Sequence, residues 1–246
     1  VTGRELPPSS PFAGDDGTAD PAVAAALAAL QGGSGTVGAL VDALAGTRVL
    51  VPVLAELEVE DVVVHDGHER TVDKEASAGI VALQAPDGRT ALPVFTSVAT
   101  MAAWRADARP VPSDIARAAL SAVTEGWEVL VVDPGGPTTV LVPRPAVWAL
   151  AQQERWRPAV TPDGVDPGVR DAITGAMAPV AGVVSVDAVP GTRAEVAVVV
   201  ELVAGLDRSG LDTVLAQVNA ALAGAEIVAA RVDSLELRLR PSNVAR

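Results

Sequence analysis

The sequence predicts an α+β fold in two parts: an N-terminal mixed or antiparallel sheet with flanking helices, and a smaller α-β-β-α-β C-terminal domain. Three observations lead there. Apolar residues recur at helical spacing in stretches that open on Asp-Pro or Ser and close on Gly. Short β-branched runs are bounded by Asp-Gly and Pro-Gly turns. After a polar stretch at 153–164, the order helix, strand, strand, helix, strand suggests a small sheet with helices on one face. The division expected is a disordered leader over 1–19, a domain over 20–152, a linker over 153–164 and a second domain over 165–246.

In order, residues 1–19 mix Pro, Gly, Ser and Asp with little to bury and read as a solvated tail. Asp20-Pro21 places an N-cap before a proline at the first helical position. Val37, Leu40, Val41 and Leu44 line one face of a second helix that Gly46 closes. Arg48 to Leu57 is almost continuously apolar and reads as a buried strand, with Pro52 marking an edge position or a bulge. The chain then turns acidic between Glu56 and Glu75, and 77–85 reads as a strand. Asp87-Gly88 signals a hairpin into the strand 90–95. Ser97 is placed to cap a helix holding Met101 and Trp104, and Pro110 and Pro112 bracket an extended segment. Ser113 or Asp114 caps a helix ending at Gly126, and strands follow at 127–133 and 140–143. Pro145 starts a helix in which Trp148 is expected, with Trp127, to fill core space.

In the second part, Asp166-Pro167 opens a helix with Val169, Ile173 and Met177 on one side. Strands near 183–189 and 194–203 precede an amphipathic helix capped by Ser209 and stopped by Gly224. At the end, Leu235, Leu237 and Leu239 alternate with Glu236, Arg238 and Arg240, and the arginines are expected opposite Glu195 or Glu201.

Composition excludes several function classes. Net charge is −13, from 20 acidic against 11 basic residues through Arg157 (−9) and 11 against 7 beyond it (−4). Both parts therefore repel phosphate backbones and anionic lipid heads, which argues against nucleic-acid and membrane partners. Aromatics make up 2% with no Tyr, so stacking platforms for bases are scarce. The absence of cysteine excludes disulfides, thiolate metal sites and thiol nucleophiles, and fits a reducing cytoplasm. No signal peptide or apolar run of spanning length is visible.

Few constellations carry chemistry. His65 and His68, with carboxylates around them, are the candidate metal ligands, but Gly67 between them favours a mobile polar loop. The carboxylates from Glu56 to Glu75 read as a solvated face or as a docking loop for a protein partner. Lys74, the single lysine beside 17 arginines, is the one amine whose pKa burial can tune, and it is a candidate anion-binding residue. Arg109 sits against the Pro110 and Pro112 brace, where its guanidinium would meet a ligand carboxylate or phosphate, or else Asp107. The glycine-rich stretches at 32–35 and 133–137 lack the context of a phosphate loop and read as turns.

LPVFTS (92–97), the helix to Trp104 and ARPVP (108–112) resemble the SseB family, named for enhanced serine sensitivity. RVLVPVLAE (48–56), KEAS (74–77), PDGR (86–89) and VVDPGGP (131–137) continue the resemblance in the same order over 19–152. The chain beyond the linker is similar to the smaller C-terminal domain often found in that family. The resemblance implies a bacterial, soluble protein with an α+β N-terminal domain. It supplies no catalytic residue or cofactor. The family-like positions are Lys74, Phe95, Thr96, Arg109, Pro110, Pro112 and Asp133, and of these Lys74, Phe95, Thr96, Arg109 and Asp133 are the candidate ligand-binding residues. The expectation is a cytoplasmic, non-enzymatic binding or regulatory protein with no cofactor, taking a small anionic ligand or a protein partner. The alternatives are an enzyme acting on a small anionic metabolite and an adaptor working through the acidic 56–75 loop.

Overall fold

Local signals set most element boundaries in the computed structural model, which describes residues 12–54, 81–85 and 87–242. The architecture is α+β, and the chain divides into two compact units, Val1–Arg155 and Trp156–Arg246. His65, His68, Lys74 and the acidic 56–75 stretch lie outside the described residues.

Unit 1 begins with α1 (Pro21–Gln31), whose first amides are capped by the Asp20 carboxylate, and α2 (Val37–Leu44), capped by the Thr36 hydroxyl. The strand β1 (Arg48–Val53) follows, then β2 (Leu83–Gln84) and β3 (Thr90–Val94). The helix α3 (Val98–Trp104) carries a reciprocal capping box between Ser97 and Thr100. After it come β4 (Arg109–Asp114) and α4 (Ile115–Thr124), which is capped by Asp114. Strands β5 (Val129–Val132) and β6 (Val140–Val142) and helix α5 (Arg144–Gln152) complete the unit.

Four strands form one sheet in the order β2-β3-β5-β6. Its central pair, β3 and β5, is parallel, with Ala91 beside Val129 and Val94 beside Val132. The connection between parallel strands is a crossover running through α3, β4 and α4, and burial of β5 on both faces explains its unbroken VLVV sequence. β1 pairs antiparallel with β4 and is tied to the end of β3 by the Leu50–Phe95 bridge.

The prolines of the β1–β4 ribbon follow from its register. Leu50 exchanges both backbone hydrogen bonds with Phe95 (2.8 Å each), so Leu50 and Pro112 form a non-hydrogen-bonded pair, and so do Pro52 and Pro110 two residues on. Pro52 thus sits in β1 without a bulge because no ladder amide is needed there. Pro110 and Pro112 fall where β4 would otherwise point amides outward, which leaves that edge with one outward donor, the Asp114 amide at the strand end.

Two expectations are corrected here. Residues 15–18 are held to the body by Arg48, which donates to Asp15 and to the Thr18 carbonyl, so the described part of the expected 1–19 leader is docked. Trp148 is 44% exposed, because α5 buries Ala146, Val147 and Leu150 instead.

Unit 2 opens within the expected 153–164 linker, on the hairpin of β7 (Val160–Thr161) and β8 (Gly164–Val165). Ala159 and Val165, at its two ends, enter the hydrophobic core. Helix α6 (Pro167–Met177) turns Val169, Ile173 and Met177 inward, as its spacing predicts. The Asp166 carboxylate caps it and meets Arg231 at 2.8 Å, and that guanidinium holds the carboxyl below its usual range. Strands β9 (Val183–Pro190) and β10 (Val196–Leu202) form an antiparallel pair. Helix α7 (Arg208–Ala223) is capped by Asp207 rather than Ser209, and the short α8 (Glu226–Arg231) was not anticipated. The last strand, β11 (Leu235–Pro241), lies parallel to β10 in the order β11-β10-β9. Val196, Val198, Val200 and Leu202 pack into the core with the helices.

On the other face of that sheet, Glu236 is buried and accepts from the Thr192 amide at 2.8 Å and from the guanidinium groups of Arg193 and Arg238. Arg240 stands beside Glu201 in the register, whereas Arg238 turns along its own strand to Glu236. The Thr192 amide, then Arg238 and Arg193, hold the Glu236 carboxyl down to about 2 from 4.5. A depressed carboxyl contributes stability above its unfolded pKa and loses it as pH falls. Urea midpoints should therefore fall as pH drops from 4.5 towards 2, and Glu236→Gln should show a smaller loss over that window. An equal loss in the variant would count against the contribution of this group.

Candidate functional site

The candidate site lies where the parallel strands β3 and β5 end side by side. β3 runs into Phe95, Thr96 and Ser97 before α3 begins, and β5 runs into Asp133 at the start of the PGGP turn. Asp133 adopts φ +46°, a left-handed conformation that Asp tolerates better than most residues. Its amide still donates to the Val94 carbonyl at 2.9 Å, and its carbonyl accepts from Gly136 and from the Thr139 hydroxyl, both at 3.0 Å. The turn also needs small residues. A Cβ at Gly136 would come 3.0 Å from the Asp133 carbonyl, and Gly135 has φ +72° beside Trp104.

This turn aims the Asp133 carboxylate back at the end of β3. One oxygen accepts from the Thr96 amide at 2.8 Å and from the Thr100 hydroxyl at 2.9 Å. The other accepts from the Thr96 hydroxyl at 2.7 Å. The Thr96 carbonyl accepts from Arg48 at 2.8 Å, and the same guanidinium reaches Asp15 at 2.6 Å and the Thr18 carbonyl at 2.7 Å. One continuous network thus joins the N-terminal segment, β1, the end of β3, the first turn of α3 and the end of β5. Thr96 and Asp133 are both buried, so the network replaces hydration that burial removes.

Phe95 lies under this network, fully buried with Leu50 and Met101, its ring 5.2 Å from that of Trp104. Its side chain is core, with no open surface for a ligand. Arg109 lies elsewhere, on the exposed start of β4 opposite Val53. Three residues separate Val53 from Leu50 on β1, about 10 Å along a strand. Among the described residues the Arg109 side chain makes no hydrogen bond or ion pair, and Asp107, its expected alternative partner, is taken by Arg105 at 2.9 Å. The structure therefore brings together Phe95, Thr96 and Asp133 and sets Arg109 apart from them.

Sequence reasoning missed Arg48 and Thr100. Thr100 was legible as the third residue after the Ser97 cap, whereas Arg48 shows only as a lone cation before an apolar run. An open depression along α7, lined by Arg208, Ser209, Asp212, Thr213, Ala216 and Gln217, was also not foreseen. The described residues include no group of three or more His, Asp or Glu placed to hold a metal ion, and no helix long and apolar enough to cross a membrane.

A double-mutant cycle tests the network. Asp133→Asn keeps the shape and loses one charged acceptor, and should cost about 1–3 kcal/mol in urea unfolding, as should Thr96→Val. The two should couple by about 1 kcal/mol or more. Additive effects would mean that the pair does not act together.

Comparisons with curated proteins and with solved structures returned no match. A family model described as the SseB protein N-terminal domain matches residues 23–149, which is 127 of the 246 residues and spans the helices, the sheet and the Asp133 network. The chain belongs to the SseB family.

Proposed function

We propose that this SseB-family chain is a non-enzymatic binding or regulatory protein of the cytoplasm that takes a small anionic ligand through Arg109, with Lys74 as the second cation. The observation that carries the reading is how the polar groups of the family-like segment are used. Thr96, Thr100 and Asp133 spend their hydrogen-bonding capacity on one another, which suits a scaffold better than a reacting centre. Arg109 is exposed, braced by Pro110, and without a described polar partner. A guanidinium fork held at a rigid strand start matches a carboxylate in a bidentate geometry. The cysteine-free composition supports the cytoplasmic setting.

The connection with serine sensitivity implied by the family name makes amino acids the first ligands to screen. Others are dicarboxylates, nucleotides and divalent metal ions. The assay is thermal shift on the whole chain, since a ligand that binds the native state raises its stability by about 2.7 kcal/mol at 100 times its Kd. A carboxylate-bearing compound should raise the melting temperature of the wild type. Arg109→Ala should abolish that shift while leaving the ligand-free melting temperature within about 1 °C, because the side chain is exposed. A screen with no stabilising compound, or a shift that survives Arg109→Ala, would contradict the reading.

A further inference from the structure

We propose that β11 pairs antiparallel with β11 of a second copy of this chain, about a two-fold axis through Leu237, joining two three-stranded sheets into one of six strands. The inference is independent of the ligand assigned to Arg109. It begins from how the strand edges are protected. An unpaired edge presents amides and carbonyls that can template pairing with another chain, and folds blunt such edges with proline, side-chain caps or short strands. In unit 1, Pro110 and Pro112 remove two of the three outward amides of β4, and the third, that of Asp114, lies at the strand end. In unit 2, β9 ends on Pro190, and its outward Ala188 amide donates to the neighbouring Asp187 carboxylate at 2.8 Å.

β11 has neither device along its length. The Val196 amide donates to the Ser234 carbonyl and the Ser242 amide to the Leu202 carbonyl, which fixes the phase of the parallel ladder. Glu236, Arg238 and Arg240 therefore turn their backbone groups to β10, and Leu235, Leu237 and Leu239 turn theirs outward. Among the described strands, none pairs with that outer edge. The side chains of Leu235 and Leu239, on the helix-bearing face, are 36% and 42% exposed. Proline appears only at Pro241, where the strand ends.

The sequence of this edge is self-complementary. With Leu237 opposite Leu237 of the second copy, Leu235 faces Leu239 and Glu236 faces Arg238, on both sides of the axis. Every outward amide then meets an outward carbonyl: three donors from each copy, hence six hydrogen bonds. The exposed leucines cover one another on one face, and opposite charges stand across the seam on the other. A register centred on Arg238 would oppose two guanidinium groups and waste pairings on Pro241, which has no amide. Charge and backbone thus select one register and one partner, a second copy.

Sedimentation velocity on the whole 246-residue chain at about 50 µM, enough to populate a micromolar dimer, should give twice the 24.8 kDa of one chain. Leu235→Glu with Leu239→Glu places carboxylates opposite one another across the seam. It should weaken the dimer at least about tenfold, with circular dichroism unchanged because both positions are exposed in one copy. The chain has no cysteine, so one introduced thiol reports the register. Opposed Leu237 positions lie about 5.5 Å apart at Cα, within disulfide range, whereas the two Arg238 positions are diagonal and about 8 Å apart. Mild oxidation should therefore link Leu237→Cys into a covalent dimer and Arg238→Cys at most weakly. A folded monomer at this concentration would overturn the proposal. So would a dimer untouched by the paired glutamates, or one in which Arg238→Cys links more readily than Leu237→Cys.

Discussion

The buried carboxylate of Asp133 constrains unit 1 more than any other single group. Its two oxygens take three donors from the chain between Thr96 and Thr100, and Thr96 in turn anchors Arg48. A buried carboxylate demands donors with good geometry, and each donor here comes from a position fixed by something else. The amide of Thr96 follows the Leu50–Phe95 bridge, and the Thr100 hydroxyl follows the Ser97 cap. The parallel β3–β5 pair, the start of α3 and the docking of residues 15–18 therefore depend on one another. The left-handed backbone at Asp133 and the two following glycines are the local cost of aiming that carboxylate.

Much of this was legible in the sequence. Caps at Asp20, Ser97, Asp114 and Asp166 and the Asp87-Gly88 turn fixed where elements begin, because side-chain capping and turn chemistry act over a few residues. The candidates Thr96 and Asp133 proved to be neighbours, although the sequence separates them by 37 residues. Other features depend on tertiary context that pattern alone does not carry. Trp148 faces outward because three smaller residues fill the α5 interface, and the α7 cap moves to Asp207 because that carboxylate reaches the Gly210 amide. The hairpin at 160–165 has strands too short to show a period. Arg48 was invisible as a network member because its partners lie 30 to 48 residues away.

The prolines and the network separate architecture from surface. In the segment from Phe95 to Pro112, the buried groups are satisfied internally and the prolines deny a partner strand any amide. The side chain of Arg109 is exposed on this segment, together with those of Val98 and Val111. Unit 2 is arranged the other way. Its last strand leaves a complete row of backbone groups outward and alternates leucine with charge, the pattern of a surface made to be covered.

The most direct measurement of the central claim is amide hydrogen exchange at Thr96. If Asp133 binds the strand ends together, the Thr96 amide should exchange as slowly as those of Leu50 and Phe95, at the level of global unfolding of the unit. Its protection should drop with Asp133→Ala. Exchange of Thr96 at the rate of an exposed loop in the wild-type chain would contradict the account.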